Sequence, residues 1–133
     1  MIDFNVIYLS NVDEIKSYFE NIQENKIRVI VSLPMSGGNA DDIIRKQKEI
    51  INKLKEIDPR CELLDTFNKA VPGSLNKKQL RIWCLGDSLR LMAFADFVIF
   101  VSDFKKAKGC LVEHQICCSY EMPFAHESAL ERK

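Results

Sequence analysis

Two short, nearly continuous apolar runs constrain this chain more than any other feature. Residues 27–33 read I-R-V-I-V-S-L and residues 97–101 read F-V-I-F-V. Both are short, rich in β-branched and aromatic side chains, and free of the in–out alternation of a half-exposed strand. Such runs fit strands covered on both faces, which belong to parallel sheets flanked by helices. A third short run, 61–64, ends at Asp65. Between the runs lie two helical segments. Residues 40–57 carry Ile43, Ile44, Ile50, Ile51, Leu54 and Ile57 as a stripe at the 3.6-residue period, and Asp58-Pro59 ends them. Residues 79–95 carry Leu80, Trp83, Leu85, Leu89, Leu91 and Met92, closed by Asp96.

The flanks extend the pattern. Residues 4–9 read as a strand, and Ser10 or Asn11 can cap a helix whose face holds Ile15, Tyr18, Phe19 and Ile22. A last helix spans about 110–120, residues 122–125 form a strand stub, and 126–133 read as a polar tail. Strand and helix in alternation predict an α/β domain with a mainly parallel sheet of 4–5 strands. One domain spans 1–133, with 1–25 as an N-terminal strand–helix extension.

Composition narrows the partners. Nineteen basic and nineteen acidic side chains give a formal net charge of zero. A balanced chain has no electrostatic footprint for duplex nucleic acid or an anionic membrane. No apolar run reaches the ~18–20 residues that span a bilayer. The first residues lack a basic, then apolar, export signal, and five cysteines in such a chain read as reduced thiols. A cytoplasmic protein is the resulting expectation.

Ligands of parallel α/β sheets bind beyond the carboxyl ends of the strands. That rule selects three loops: 34–39, 65–74 and 102–109. The first follows Ser32-Leu33-Pro34-Met35-Ser36-Gly37-Gly38, a glycine-containing strand-to-helix turn. Such a turn either presents backbone N–H groups to an anion or serves only the backbone angles. It lacks the Gly-Lys-Ser/Thr ending of a Walker A loop. The third loop carries Lys105, Lys106 and Lys108, which read as solvated lysines or as an attraction for a phosphate.

Gly109-Cys110-Leu111-Val112-Glu113 opens the last helix. A carboxylate near a helix N-terminus is favoured in its ionised form, the form a nucleophile needs. Periodicity alone reads Glu113 instead as a surface glutamate on an exposed face. Cys110, His114 and Cys117 share one helical face at i, i+4 and i+7. A structural zinc site wants four ligands and no partner pair of cysteines exists, so the thiols read as buried core groups. No metal and no cofactor is expected. Trp83 reads as a core or interface residue rather than a platform for a base.

Taken together, three segments resemble the nucleoside 2-deoxyribosyltransferase-like superfamily, closest to small bacterial and phage domains of that type whose functions are mostly unassigned. They are V-S-L-P-M-S-G (31–37), L-G-D-S-L-R-L-M-A-F-A-D-F-V-I-F (85–100) and G-C-L-V-E-H-Q-I (109–116), in the family's order. The resemblance covers about residues 26–124. It implies a flavodoxin-like (Rossmann-like) three-layer sandwich. It also implies a glutamate nucleophile four residues after a helix-opening glycine, which maps onto Glu113 after Gly109. Glu113 attacks C1′ of a nucleoside or nucleoside 5′-monophosphate, and a second base or water then takes the sugar. Residues Ser32, Leu33, Pro34, Met35, Ser36 and Gly37 line the substrate, with Lys108 and Gly109 at the opposite loop. The lysines at 105, 106 and 108 tilt this reading toward a phosphorylated substrate. Characterised members carry a sugar-contacting aspartate eight residues before the helix-ending one; here that position is Ser88, beside Asp87. The acid that protonates the leaving base has Asp103 as its nearest candidate and Asp65 as a more distant one. The missing acid also leaves open a non-catalytic module that binds or senses a nucleotide in the same crevice. Related enzymes complete their sites across subunits, so the resemblance implies a homodimer or higher homo-oligomer with an apolar helix face shared between chains.

Overall fold

A computed structural model describes residues 7–34, 39–64 and 72–131. It is an α/β fold of the flavodoxin-like, three-layer kind. The run beginning at Ile27 forms β1 (Ile27–Ser32), where Arg28 alone is exposed. Helix α1 (Val12–Glu20) precedes it, and α2 (Ala40–Ile57) leads to β2 (Cys61–Leu63). Helix α3 (Lys77–Met92) leads to β3 (Phe97–Phe100), wholly buried, and α4 (Lys108–Ser119) leads to β4 (Phe124–His126). The order across the sheet is β2-β1-β3-β4, and every pair is parallel. The order in which the chain steps across the sheet therefore reverses between β1 and β3, the switch point at which such sheets open a crevice.

Side-chain alternation along β1 and β3 assigns the two faces. Val29, Val31, Phe97 and Ile99 pack with Ile15 and Phe19 of α1 and Ile43, Ile50 and Leu54 of α2. Ile30, Val98 and Phe100 pack instead with Met92 of α3 and Cys110 and Cys117 of α4. The N-terminal segment lies along the outer edge of β4. Tyr8 bridges Phe124 in parallel, with Leu9 N–H donating to Phe124 C=O at 2.8 Å and Phe124 N–H to Ile7 C=O at 2.7 Å. The described part of the expected strand 4–9 thus takes the fifth sheet position as a bridge.

Local chemistry sets the helix ends. Asn11, Asn39 and Asn76 each cap a helix through the side-chain oxygen. Asn76 and Gln79 form a reciprocal capping box, so α3 starts two residues before the expected 79 and stops at Met92 rather than 95. The Arg60 guanidinium donates to the carbonyls of Phe19, Ile22 and Glu24 around the end of α1, and Asp58 holds it at 2.8 Å. Helix α4 begins at Lys108, not 110. The expected polar tail 126–133 is described as far as Glu131. His126 ends β4, Glu127–Leu130 form a single 3₁₀ turn, and Glu127 and Ala129 are buried. Composition cannot reveal that Glu127, one of the two glutamates there, is buried in an ion pair with Lys46. A further 3₁₀ turn, Phe104–Lys106, buries Phe104 and was not foreseen.

Candidate functional site

At the carboxyl ends of β1 and β3 the switch point opens a cleft of about 350 Å³ on the α2 side of the sheet. Leu33 and Pro34 from the turn after β1 line it, together with Asp42 and Lys46 of α2, Asp103 after β3 and Glu127 after β4. Glu127 is the organised charge here. Its Oε2 accepts from Lys46 Nζ at 2.5 Å, and its Oε1 accepts from the Ser102 N–H at 3.1 Å and Oγ–H at 3.2 Å. Burial raises the Glu127 carboxyl, but these donors outweigh it and hold the group below the usual carboxylate range. The Lys46 ammonium is correspondingly raised, chiefly by its hydrogen bond to Glu127. With Lys46 committed to Glu127 and Asp42 paired with Arg45, Asp103 is the carboxylate left over in the described lining.

Glu113 occupies the other side of the sheet. It is 7% exposed, so the reading of a surface glutamate is corrected. Ser32 at the end of β1 points toward α4, and its hydroxyl donates to Glu113 Oε1 at 2.8 Å. Burial pushes the Glu113 carboxyl above its ordinary value, and the serine hydroxyl offsets part of the rise. The expected ionisation by the helix dipole is not what governs it. Glu113 is the sixth residue of α4, past the first turn where that field acts, and desolvation dominates. The neighbouring thiols are quiet: burial lifts Cys110 to about 11 and Cys117 to about 12. All five cysteines are free.

The remaining expected site residues fall as follows. Ser32 joins Glu113, while Leu33, Pro34 and Asp103 join the cleft; Glu113 is not part of that cleft's lining. Met35, Ser36, Gly37 and Asp65 lie outside the described residues. Asp87 pairs with Arg90 on its own helix, and Ser88 is half-buried beside it. Gly109 sits where α4 meets α3, and a Cβ there would touch Leu85 at an ordinary 3.8 Å. Lys105, Lys106 and Lys108 are exposed and none lines the cleft, so the electrostatic case for a bound phosphate is not carried by it.

Comparison of the chain with family models, with curated proteins and with solved structures finds no match.

Two features were not legible. Lys46 reads as one lysine among several on a polar helix face, and Glu127 as a tail residue; only the fold brings them to 2.5 Å. His114 and His126 come from different elements, yet their Nε2 atoms stand 3.2 Å apart. Among the described residues no group of three or more metal-ligating side chains assembles, and Cys110 and Cys117 turn into the core instead. No helix among them is long and apolar enough to cross a membrane.

Proposed function

We propose that this chain is an enzyme of the nucleoside 2-deoxyribosyltransferase type, transferring or hydrolysing the glycosyl group of a nucleoside or nucleoside 5′-monophosphate. The observation that carries the reading is Glu113: a buried carboxylate with one serine donor, at the carboxyl end of the central strand beside the switch point. Its carboxylate attacks C1′ of the sugar; the C1′–N bond breaks as the C1′–O bond to Glu113 forms. Asp103 (or Asp65) gives the leaving base its proton and recovers one from the acceptor base or water that releases the sugar. Ser32 positions the nucleophile, and Leu33 and Pro34 flank the substrate. Because burial raises the Glu113 carboxyl, kcat/KM rises with pH along a limb above the usual carboxylate range. The Asp103 carboxylate left over in the cleft favours the unphosphorylated nucleoside over its 5′-monophosphate.

A second reading is favoured by the separation of Glu113 from the cleft's lining. In it the chain is a non-catalytic module that binds a nucleotide-like ligand at the switch point. A base-release assay decides between them. Wild type and Glu113→Ala are incubated with ribo- and deoxyribonucleosides and their 5′-monophosphates, with and without an acceptor base. Release by wild type alone supports the enzyme. Thermal stabilisation without release supports the binding module and sinks the enzyme for those substrates.

The same reading includes a second copy of this chain as partner. Ile82 (62% exposed) and Trp83 (43%) on α3, with Leu111 and Val112 on α4, leave an apolar face outside the second helix layer. The outer side of α4 carries no charge beyond Lys108 at its start, and charge depletion is the mark of an interface core. Sedimentation of wild type and Trp83→Glu tests it: a dimer that dissociates in the variant supports the reading, and a wild-type monomer overturns it.

A further inference from the structure

His114 and His126 come from different elements and meet over the sheet's carboxyl edge. Ser32, Phe100 and His126 are register partners across β1, β3 and β4. Phe100 packs into the α3/α4 layer between the other two. Glu113 reaches Ser32, and the next residue of α4, His114, reaches His126, so the two pairs straddle the Phe100 ring. Aromatic side chains hold the imidazoles in place. Phe104 stacks on His114 at 5.0 Å with 14° between planes, Phe100 meets it edge-on at 4.9 Å, and Tyr8 lies 5.1 Å from His126.

We propose that His114 and His126 together chelate a divalent transition ion of the zinc class through their Nε2 atoms, in an open site completed by water. The spacing is the first ground. Two imidazole nitrogens each ~2.0–2.1 Å from one ion at a tetrahedral angle stand roughly 3.3 Å apart, against the 3.2 Å observed. The second ground is the outer contact. Cys118 Sγ lies 3.9 Å from His114 Nδ1, where the thiol can accept from Nδ1–H in the tautomer that turns the Nε2 lone pair to a metal in place of its hydrogen bond with His126. Both rings are half-exposed, so a hydrated ion can reach them. Burial lowers both imidazoles from their ordinary value, Lys105 acts in the same direction on both, and His114 does so on His126. Lys105 is the cation that faces the pair and opposes a bound ion, so affinity stays modest. No third His, Cys, Asp or Glu among the described residues completes a closed set, which makes the site exchangeable rather than a structural staple. Imidazole donors select zinc, nickel, cobalt or copper over magnesium and calcium. The inference is independent of the glycosyl chemistry.

The test is calorimetric titration of the full chain with Zn²⁺ and with Mg²⁺ at neutral pH, and again at pH 5. It is repeated for His126→Asn, His114→Gln and Cys118→Ser, each checked for folding by circular dichroism. The expected result is one Zn²⁺ per chain, no Mg²⁺, loss of binding at pH 5, and at least tenfold weaker binding in whichever histidine variants fold. Cys118→Ser keeps binding within a few-fold. Absence of saturable Zn²⁺ binding by wild type overturns the proposal. So does undiminished binding in a folded histidine variant, or loss of binding in Cys118→Ser, which would mark a surface thiol as the ligand. If neither histidine variant folds, photo-oxidation of the histidines in the wild-type chain reads the same point: bound Zn²⁺ must protect His114 and His126, and equal loss with and without the ion overturns it.

Discussion

The two buried glutamates stand at the same end of one sheet, on opposite faces, and their environments push them in opposite directions. Glu127, 9% exposed, has an ammonium on one oxygen and the Ser102 N–H and hydroxyl on the other. Its charge is matched, so it behaves as a fixed anion that ties α2 to the end of β4. Glu113, equally buried, has a single serine hydroxyl. Its charge is under-compensated, which makes the anion reactive and the acid easy to form. Burial alone is therefore no guide to a carboxylate's role; what matters is how many donors accompany it.

Breaking the matched site has the largest expected effect. Lys46→Met leaves the Glu127 charge buried with only Ser102, and costs about 1–3 kcal/mol at pH 7. Glu127 is held below its unfolded pKa, so its contribution is present above the ordinary carboxylate value of 4.5 and is lost as pH falls through the lower folded one. Urea denaturation at pH 7 and pH 3 should show the variant's deficit shrinking on acidification. A deficit constant with pH refutes the charge pairing.

Ser32→Ala comes next. It strips Glu113 of its donor and costs about 1–2 kcal/mol at pH 8, where the carboxylate must be carried, and less at pH 4. Guanidinium melts at the two pH values check the difference. Equal losses would mean that the serine acts only through packing.

Glu113→Gln has the opposite sign. Its folded pKa is raised, so wild type is unpenalised below 4.5 and loses stability as pH rises from there through the folded value. The amide keeps the acceptor for Ser32 without the charge, and the variant should gain on the order of 1 kcal/mol at pH 8 while matching wild type at pH 4. Thermal melts across that range measure it, and a destabilised variant at pH 8 would show that Glu113 is compensated after all. The smallest effect belongs to Ser102→Ala. The backbone N–H at 3.1 Å stays, only the 3.2 Å hydroxyl contact goes, and the loss is about 0.5 kcal/mol by the same melts.

Much of the architecture was legible because it rests on local periodicity. The helix 40–57 was read to the residue, since its isoleucine and leucine stripe and the Asp58-Pro59 stop are local signals. Strand β1 was misjudged by one residue and β3 by one. The start of α3 was missed although its cue, Asn76 with Gln79, lay in the sequence as a capping-box pair. Of the site, the residues Glu113 and Ser32 were named from separate segments, but their hydrogen bond was not foreseen. It depends on the register that brings the end of β1 under the second turn of α4.

By itself the sequence determined the class of fold: apolar runs too short for helices and too continuous for exposed strands have to be buried between helix layers. It also determined where on that fold to look, because parallel strands end at one edge. Only the tertiary structure decided which polar groups share an environment. Lys46 and Glu127 are 81 residues apart, as are Ser32 and Glu113. A pKa is set by such neighbours and by the water they exclude, and neither quantity is a property of any stretch of chain short enough to be read alone.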